Sequence, residues 1–299
     1  MADFTPGVPD AIYGGLPIVK YFIDGKRYKD AGGHSYISAV RYVKNSTSGY
    51  ISSTGQVSMT PQNASTQVQY RYRTNGASVV ITDEEKDANT SEYQLFNLVE
   101  EKTDNAIMAC RDELETALFA TSIGANDHES FATLIDSTGT VGDQAAAAWW
   151  QSTETASGSF AGQGAGDLTT LNNAISMTGT DFADLSVTTQ TLYEAYEASV
   201  RGYAQFDVVR DGAVDIGIKH GGLKFKGQTV LWGAAVNSGV WYMINTKYCY
   251  PVIHGGRNFQ MGPKTRPINQ FLDTWLIQWR GTLAITNRAR CGKLTGMTA

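Results

Sequence analysis

The longest helix-like pattern in this 299-residue sequence covers residues 89–124, and it constrains the fold more than any other stretch. Small or apolar side chains recur there every three or four positions, the period of one helix face. They are Phe96, Val99, Thr103, Ile107, Cys110, Leu114, Leu118 and Thr121. Ser91 and Gln94 have the spacing of a capping box, and Gly124 is a natural left-handed stop. At about 1.5 Å per residue, the segment predicts a helix roughly 45 Å long.

The opposite face of this predicted helix is acidic. It carries Glu92, Glu100, Glu101, Asp104, Asp112, Glu113 and Glu115, against only Lys102 and Arg111. We expect these carboxylates to stay in water, because no apolar setting in the segment would raise the pKa of one of them. The face therefore predicts a contact surface for basic neighbours. The alternative is a long core helix of an ordinary α/β monomer with a solvated outer face.

The chain has a formal net charge of -5, which argues against a protein whose main task is gripping duplex DNA. This charge is unevenly distributed. Residues 83–115 hold eleven carboxylates and three basic residues, whereas residues 254–299 hold seven Lys or Arg and one carboxylate, Asp273. We expect these two regions to neutralise each other, within one subunit or between subunits.

Targeting signals and cysteine pairs are absent from the sequence. The N-terminus has no basic segment followed by an apolar core, so we expect a protein that stays in the cytoplasm where it is made. Residues 227–246 have the length of a membrane span, but their polar residues and glycines predict strands instead. The cysteines, Cys110, Cys249 and Cys291, are odd in number and far apart, which predicts buried reduced thiols.

Two runs of alternating residues, 35–43 and 67–81, predict a pair of strands joined by a tip rich in Ser, Thr, Gly and Asn. Residues 31–80 contain no Asp or Glu, but they do contain Arg41, Lys44, Arg71 and Arg73. A two-stranded ribbon is marginal by itself in water, so we expect it to pack against another surface. The alternative is a solvated hairpin within a larger sheet. Residues 1–33 predict an extended arm rather than a packed element.

The rest of the chain predicts an α/β lobe followed by long strands. Residues 125–166 are rich in loops around Trp149 and Trp150, and their Gly-rich run at 162–166 lacks the preceding strand that a phosphate-binding loop requires. From Asp167 onward, amphipathic helix patterns alternate with β-branched runs. Near the C-terminus, a half-buried strand pair is predicted around Leu272, Trp275, Leu276 and Trp279.

No constellation of residues predicts catalysis, a cofactor or a metal site. The histidines share no metal-binding motif and no short spacing; they are His34, His128, His220 and His254. Cys249 and His254 lie five residues apart, so a nucleophile and its base could in principle be built from them. Chance spacing explains this pair better. The expectation is a protein that is not an enzyme.

The order of these features resembles one family: an extended arm, a basic ribbon, a long acidic helix, an α/β lobe and a return through long strands. It is similar to the major capsid proteins of tailed bacteriophages, which share the Hong Kong 97-like fold. The resemblance rests on "NTSEYQLFNLVEEKTDNAIMACRDELETALF" at 89–119, "DLSVTTQTLYEAYEA" at 184–198, "VWYMINTKY" at 240–248 and "WRGTLAITNRARCGKLTG" at 279–296.

The resemblance implies an α+β fold with a fixed order of parts. Residues 1–35 would form an N-terminal arm and residues 36–88 a two-stranded extended loop. Residues 89–166 would form the peripheral domain with its long spine helix at 89–124, and residues 167–255 the α/β axial domain. The C-terminal strands, residues 256–299, would return to the peripheral domain.

The function implied by the resemblance is structural. Copies of the chain would form hexamers and pentamers of an icosahedral shell enclosing double-stranded DNA, assembled in the host cytoplasm and found in the virion. The expected partners are a separate scaffolding protein, because the chain has no room for a scaffolding segment ahead of its arm, and a portal protein. The resemblance does not specify whether a decoration protein also binds the shell. Direct binding to packaged DNA would be weak or absent, and no membrane is involved.

Two other functions remain as alternatives. An encapsulin-like bacterial compartment shell shares the fold but holds cargo enzymes. A cytoplasmic enzyme would use Cys249 and His254.

The expected subunit interface combines the basic ribbon with acidic residues of a neighbour. The candidate residues are Arg41, Lys44, Arg71, Arg73, Glu84, Glu85, Glu100, Glu101, Arg280, Arg288 and Arg290. In particular, we expect Arg71 and Arg73 to face Glu84, Glu85, Glu100 or Glu101 of the next subunit, where the pairs would set register as well as energy.

A covalent lock between subunits is not expected. Some relatives join a lysine of the extended loop to an asparagine near the C-terminal strands, a reaction that needs a carboxylate in an apolar site. Lys44 and Asn287 are the counterparts that the resemblance suggests. No Asp or Glu follows Asp273, so the sequence around Asn287 offers cations and no base, unless another subunit supplies one.

Overall fold

Two sheets, a separate ribbon and one long helix organise the chain in the computed structural model, which describes residues 15–88, 98–201 and 223–299. The predicted α+β class is confirmed. Besides the strands and main helices given below, the described chain contains the short helices α2 (Asp83–Ala88) and α4 (Phe131–Leu134) and a 3-10 turn at Arg288–Arg290.

Strand β12 (Leu272–Ile285) is the central strand of the first sheet, and three other strands pair with it. One edge of β12 pairs antiparallel with β4 (Arg73–Thr82), and the other pairs with β10 (Cys249–His254) and β11 (Gln260–Met261). Strand β1 (Lys29–Ala31) runs parallel to β10 at the outer edge. The sheet therefore joins residues from the start, the middle and the end of the chain.

The long helix α3 (Leu98–Leu118) packs on β4 and β12. Ala106 contacts Val79 and Ile277 in a small apolar cluster between the helix and these strands. Further along the same face, the buried residues are Cys110, Leu114 and Leu118, as the apolar period predicts. The predicted start of this helix at residues 89–97 lies outside the described residues.

Helix α3 ends at Leu118, so the predicted end at Gly124 is wrong. Phe119 leaves the helix to become a core residue with 1% exposure. Its carbonyl oxygen accepts a bond of 3.0 Å from the Asn237 side chain, and the next carbonyl accepts one of 2.6 Å from Ser130 Oγ. Within the last turn, the carbonyl groups of Thr116 and Ala117 accept the Phe119 and Ala120 amides at 3.2 and 3.3 Å, so the helix ends without a left-handed glycine.

The ribbon forms from β2 (Ser35–Arg41) and β3 (Ser65–Arg71), which pair only with each other. The predicted second strand at 67–81 is wrong as one element, because it is divided between β3 and β4 in different sheets. Tyr72 lies at the division. Its buried ring packs edge-to-face against His254 at 5.6 Å, and this contact places the residue inside the body rather than on the ribbon.

The second sheet has six strands in the order β5, β13, β9, β6, β8, β7. They are β5 (Thr153–Ala156), β6 (Leu185–Thr188), β7 (Lys224–Phe225), β8 (Gln228–Trp232), β9 (Trp241–Ile244) and β13 (Gly292–Thr295). Helices α5 (Ala165–Ile175) and α6 (Gln190–Arg201) supply Leu168, Leu171 and Leu192 to the core beside this sheet. The C-terminal strands are thus shared: β12 lies in the first sheet and β13 in the second.

The segment before β1 is packed, which corrects the predicted extended arm over its described part. Helix α1 (Pro17–Val19) continues into a π-helical turn at Lys20–Asp24. Its buried residues are Ile18, Val19, Phe22 and Ile23, at helical spacing. Pro17 suits the first helical position because it lacks the N–H that would be unpaired there. Residues 1–14 lie outside the described chain.

Arg288 is a core residue of the subunit, which overturns its predicted place at a subunit interface. Its side chain has 0% exposure. The guanidinium donates to the carbonyl oxygens of Leu134 at 3.2 Å, Trp150 at 3.1 Å, Asp136 at 2.6 Å and Thr138 at 3.0 Å. One planar group with five donors thereby holds the irregular segment 134–150 against the C-terminal strands.

Replacing Arg288 with Ala should lower the free energy of unfolding of the isolated chain by about 3 kcal/mol or more, because several buried carbonyl groups lose their donor and a cavity forms. Urea unfolding followed by circular dichroism measures the change. Arg257→Ala is the matched control, since Arg257 is exposed and bonds only one side chain, Gln278. Equal stability of the two variants would contradict the structural role of Arg288.

Candidate assembly surfaces

The base of the ribbon is fixed to the body. Tyr70, buried on β3, donates from its hydroxyl to the carbonyl oxygen of Ile285 at 2.7 Å. On the other strand, the Tyr36 and Tyr250 hydroxyls are 2.9 Å apart. Burial raises the pKa of both Tyr70 and Tyr36, so the two rings stay neutral phenols. These contacts set the direction in which the ribbon leaves the subunit.

The tip of the ribbon, residues 42–64, contains no helix or strand and is mostly exposed. It presents large apolar side chains to solvent: Val43, Tyr50, Ile51, Val57 and Met59. Such a concentration is unusual on an isolated soluble subunit and is typical of a contact surface. Arg41, Lys44 and Arg71 are also exposed, and none of them forms an ion pair with a described carboxylate.

An ion-pair network joins the acidic and basic regions inside the subunit. Asp273, with 2% exposure, pairs with both Lys86 and Lys264. Lys86 also contacts Asp83 at 2.8 Å, and Asp83 pairs with Arg266. The hydrogen bonds from Lys264 and Lys86 hold the pKa of Asp273 below its usual value. The predicted neutralisation of residues 83–115 by the C-terminal region is therefore confirmed for one pair within the chain, Asp83 with Arg266, whereas the pair of Lys86 with Asp273 joins the same two regions with the charges the other way round.

Glu85 is also engaged within its own chain. It bonds Lys102 at 2.6 Å, and it forms a capping box with Thr82 at the start of α2, with bonds of 3.0 and 3.2 Å. The Lys102 bond and the Thr82 amide lower the pKa of Glu85. The other predicted acidic residues are arranged differently: Glu84 and Glu100 are exposed and Glu101 is half-buried.

Several predicted basic interface residues serve the subunit's own structure. Arg73 is half-buried, and its charge lowers the pKa of nearby Glu129, although burial raises that pKa more. Arg290 donates to the carbonyl oxygen of Ile175 at 3.0 Å, at the negative end of α5. Arg280 is half-buried on β12. The candidates that face solvent are therefore the ribbon residues rather than the C-terminal arginines.

Glu115 corrects a second expectation for the acidic face. The sequence predicts it in water, but it has 3% exposure and accepts a bond of 3.2 Å from the Val19 amide. Burial raises the pKa of Glu115 to about 7. Its position beside the apolar residues Leu114 and Leu118 is the sequence signal, yet only the docking of α1 makes this edge of the helix an interior one.

Cys249 and His254 do not form a catalytic pair. They lie an odd number of residues apart on β10, so their side chains point to opposite faces of the sheet. Cys249 is fully buried, and burial, with the neighbouring Cys291 thiol adding to it, raises the pKa of the Cys249 thiol well above the usual value. His254 packs against Tyr72 instead. The described thiols are all free and buried.

Across the described ranges, no three His, Cys, Asp or Glu side chains are grouped so that they could hold a metal ion. Over the same residues, no helix combines the length and the apolar character needed to cross a membrane.

The chain shares its fold with capsid proteins. Neither a family model nor a curated protein matches the sequence. A capsid protein of cyanophage A-1(L) has a TM-score of 0.72 at 9% identity, covering 100% of this chain and 98% of that chain. The capsid of the native GTA particle gives 0.68 at 12%, covering 100% and 96%. The encapsulin complex SrpI of Synechococcus elongatus gives 0.58 at 11%, covering 98% and 92%.

These comparisons confirm, for the fold, the resemblance to phage capsid proteins that the sequence motifs indicate. At such low identities the likeness concerns the path of the chain and no individual residue. It extends over the whole chain, including the ribbon, whose exposed tip has no counterpart in an ordinary globular monomer.

Reversing the charge at both exposed ribbon arginines, Arg41→Glu with Arg71→Glu, should leave the subunit folded and impair assembly. These residues are better targets than Arg73, whose reversal would place a negative charge near half-buried Glu129. Native mass spectrometry and electron microscopy measure assembly, and thermal unfolding checks the fold. Arg257→Glu, outside the ribbon, is the control. Normal assembly of the double variant would contradict a role for the ribbon charges.

Proposed function

We propose that this chain is the structural major capsid protein of a tailed phage, and that copies of it assemble into an icosahedral shell around double-stranded DNA. The observation that carries the proposal is the match of the whole chain, ribbon included, to the fold of phage capsid subunits. A protein that assembles needs apolar surfaces that are exposed in the single chain and buried by a neighbouring copy. The tip of the ribbon, with its exposed apolar side chains, is such a surface.

In this proposal each part of the chain has a place in the shell. Residues 36–71 form the extended loop, since the chain from Tyr72 onward returns to the first sheet. Helix α3 is the spine helix of the peripheral domain, and residues 167–255 form the axial domain around which hexamers and pentamers close. The ribbon lies on a neighbour, where Arg41, Lys44 and Arg71 meet exposed acids such as Glu84. A separate scaffolding protein, a portal protein and, as an addition, a decoration protein would be its partners in the host cytoplasm and virion.

The packaged DNA would be held by confinement rather than by tight contacts. With a net charge of -5, the subunit cannot replace many of the counterions on duplex DNA. We expect no binding of the isolated subunit to a 30-base-pair duplex at about 1 μM in physiological salt, measured by fluorescence anisotropy. A micromolar dissociation constant would contradict a non-binding inner surface.

An encapsulin-like compartment is the second candidate, because SrpI has the same fold. The cyanophage and GTA capsids have TM-scores of 0.72 and 0.68 against 0.58 for SrpI, but the structure of mycobacteriophage Cain gives 0.57, so the contents of the particles decide between the two candidates. Electron microscopy of the purified protein tests the shared part of the two proposals: closed shells or ring-shaped capsomers are expected, and a monomer at high concentration would overturn both. Nuclease-protected double-stranded DNA in particles from the natural source separates them, since a compartment would contain cargo protein instead.

Mature particles should contain no covalent links between subunits. The sequence around Asn287 contains no carboxylate, but the fold brings two carboxylates to this part of the chain. Asp136 and Glu154 lie 2.9 and 3.5 Å from the Nζ atom of Lys293, which is six residues after Asn287. Both carboxylates are engaged by that lysine, so neither is a free base for Lys44. Particles boiled in detergent should run as one band near 32.4 kDa. A ladder of multiples that Lys44→Ala abolishes would contradict this expectation.

A further inference from the structure

One buried carboxyl group joins the N-terminal helical segment to the long helix. Glu115 of α3 accepts a hydrogen bond of 3.2 Å from the Val19 amide. This amide lies in the first turn of helix α1 and has no partner within that helix, since the first amides of a helix lie beyond its own hydrogen bonds. Glu115 therefore supplies the acceptor that lets residues 17–24 stay helical where they are buried.

The surroundings of this carboxyl group are apolar and contain no cation partner. Ile18 and Val236 are buried, and a Cβ at Gly233 would lie 2.8 Å from Ile18 Cδ1 and 3.4 Å from Glu115 Oε1. Arg111, one turn earlier on α3, is directed toward Asp24 at 3.4 Å instead. Within the described chain Glu115 forms no ion pair, so its charged form has only backbone amides to stabilise it.

None of the charged and titratable groups described near Glu115 offsets the rise in its pKa, so its neutral form is favoured. Burial is the main cause that raises its pKa to about 7, and the negative charge of Asp112 adds to the effect. His128 and Val19 line the same cavity, which lies between α1, α3 and β12. Burial lowers the pKa of His128, so this ring stays neutral where Glu115 titrates. Neither α1 nor the turn at residues 233–236 brings a counter-charge.

We propose that Glu115 is a pH-dependent latch: its neutral carboxyl holds residues 16–24 against α3, and its ionisation loosens that segment. The pKa of the docked group lies above the value of 4.5 that it would have in water. The stabilisation is therefore complete below pH 4.5 and is lost as the pH rises through about 7. This linkage predicts a fall of roughly 50- to 100-fold in the docking equilibrium constant between pH 5 and pH 8.

The latch is a property of the single subunit and goes beyond the proposed shell function. In a shell it would make the hold on the N-terminal segment depend on the pH at which particles assemble. Because it does not require shells, its failure would leave the capsid proposal standing, and a chain that never assembled could still show it.

Hydrogen exchange of the purified full-length protein tests the latch. After correction for intrinsic exchange, protection of the amides in residues 18–24 should fall about 50-fold from pH 5 to pH 8. Glu115→Gln keeps an acceptor without a titrating charge, so its protection should change less than about threefold. Glu113→Gln, exposed on the same helix, should retain the wild-type change. Amides of β10 serve as the internal reference.

A wild-type profile that is flat between pH 5 and pH 8 overturns the proposal, as does a Glu115→Gln profile with the wild-type slope. If Glu115→Gln fails to fold, the wild-type profile and a carbon-13 titration of the Glu115 carboxyl decide the matter. A midpoint near 7 is expected, and a midpoint near 4.5 would refute the latch.

Discussion

Strand β12 is the element on which the rest of this structure depends. Ten of its residues pair with β4 and five with β10. Strand β12 therefore connects β4, which follows the ribbon, to β10, which follows β9 of the second sheet in the chain. The change of partner occurs at Gly281, which pairs with both Arg73 and Ile253. A Cβ there would lie 2.6 Å from the Trp279 ring and 2.9 Å from the Val252 carbonyl oxygen, so only glycine fits this crossing.

The attachment of β4 to β12 also decides where the ribbon begins. Because β4 is held by backbone pairing and covered by α3 on one face, the chain before Tyr72 must leave the sheet. The tyrosine contacts at the base then fix the direction of β2 and β3. A rigid base with an exposed apolar tip is a design suited to reaching a neighbouring subunit, and it gives the proposed shell function a physical basis in one subunit.

Polar groups inside the body connect segments that the sheets do not reach. Arg288 binds the carbonyl oxygens of four residues between 134 and 150, and Glu115 accepts the Val19 amide of α1. Asp273 fixes the loop before β12 to α2 through two lysines. Loss of Arg288 or Glu115 would leave buried backbone groups without a hydrogen-bond partner, so these irregular segments are held as firmly as the strands. On the ribbon, the charges that face solvent without an ion pair among the described residues are those of Arg41, Lys44 and Arg71.

The sequence by itself determined the local elements. The period of the apolar residues identified α3 and its buried face, alternation identified the ribbon strands, and charge counts predicted the neutralisation that Asp83 and Arg266 carry out. The order of motifs indicated the capsid fold, which the whole-chain likeness confirms at the level of the chain path. These features depend on residues close together in sequence, or on composition, so they can be read without coordinates.

Only the tertiary structure decided which side of each element faces inward where the local pattern is ambiguous. Nothing near Arg288 in sequence distinguishes it from an exposed arginine, because its acceptors lie some 140 to 150 residues earlier in the chain. Glu115 is interior only because α1 packs on that edge of the helix. The run at 67–81 divides at Tyr72 only because its second half pairs with β12. The physical reason is the same in each case: burial and backbone pairing are set by long-range partners, which a local sequence period cannot report.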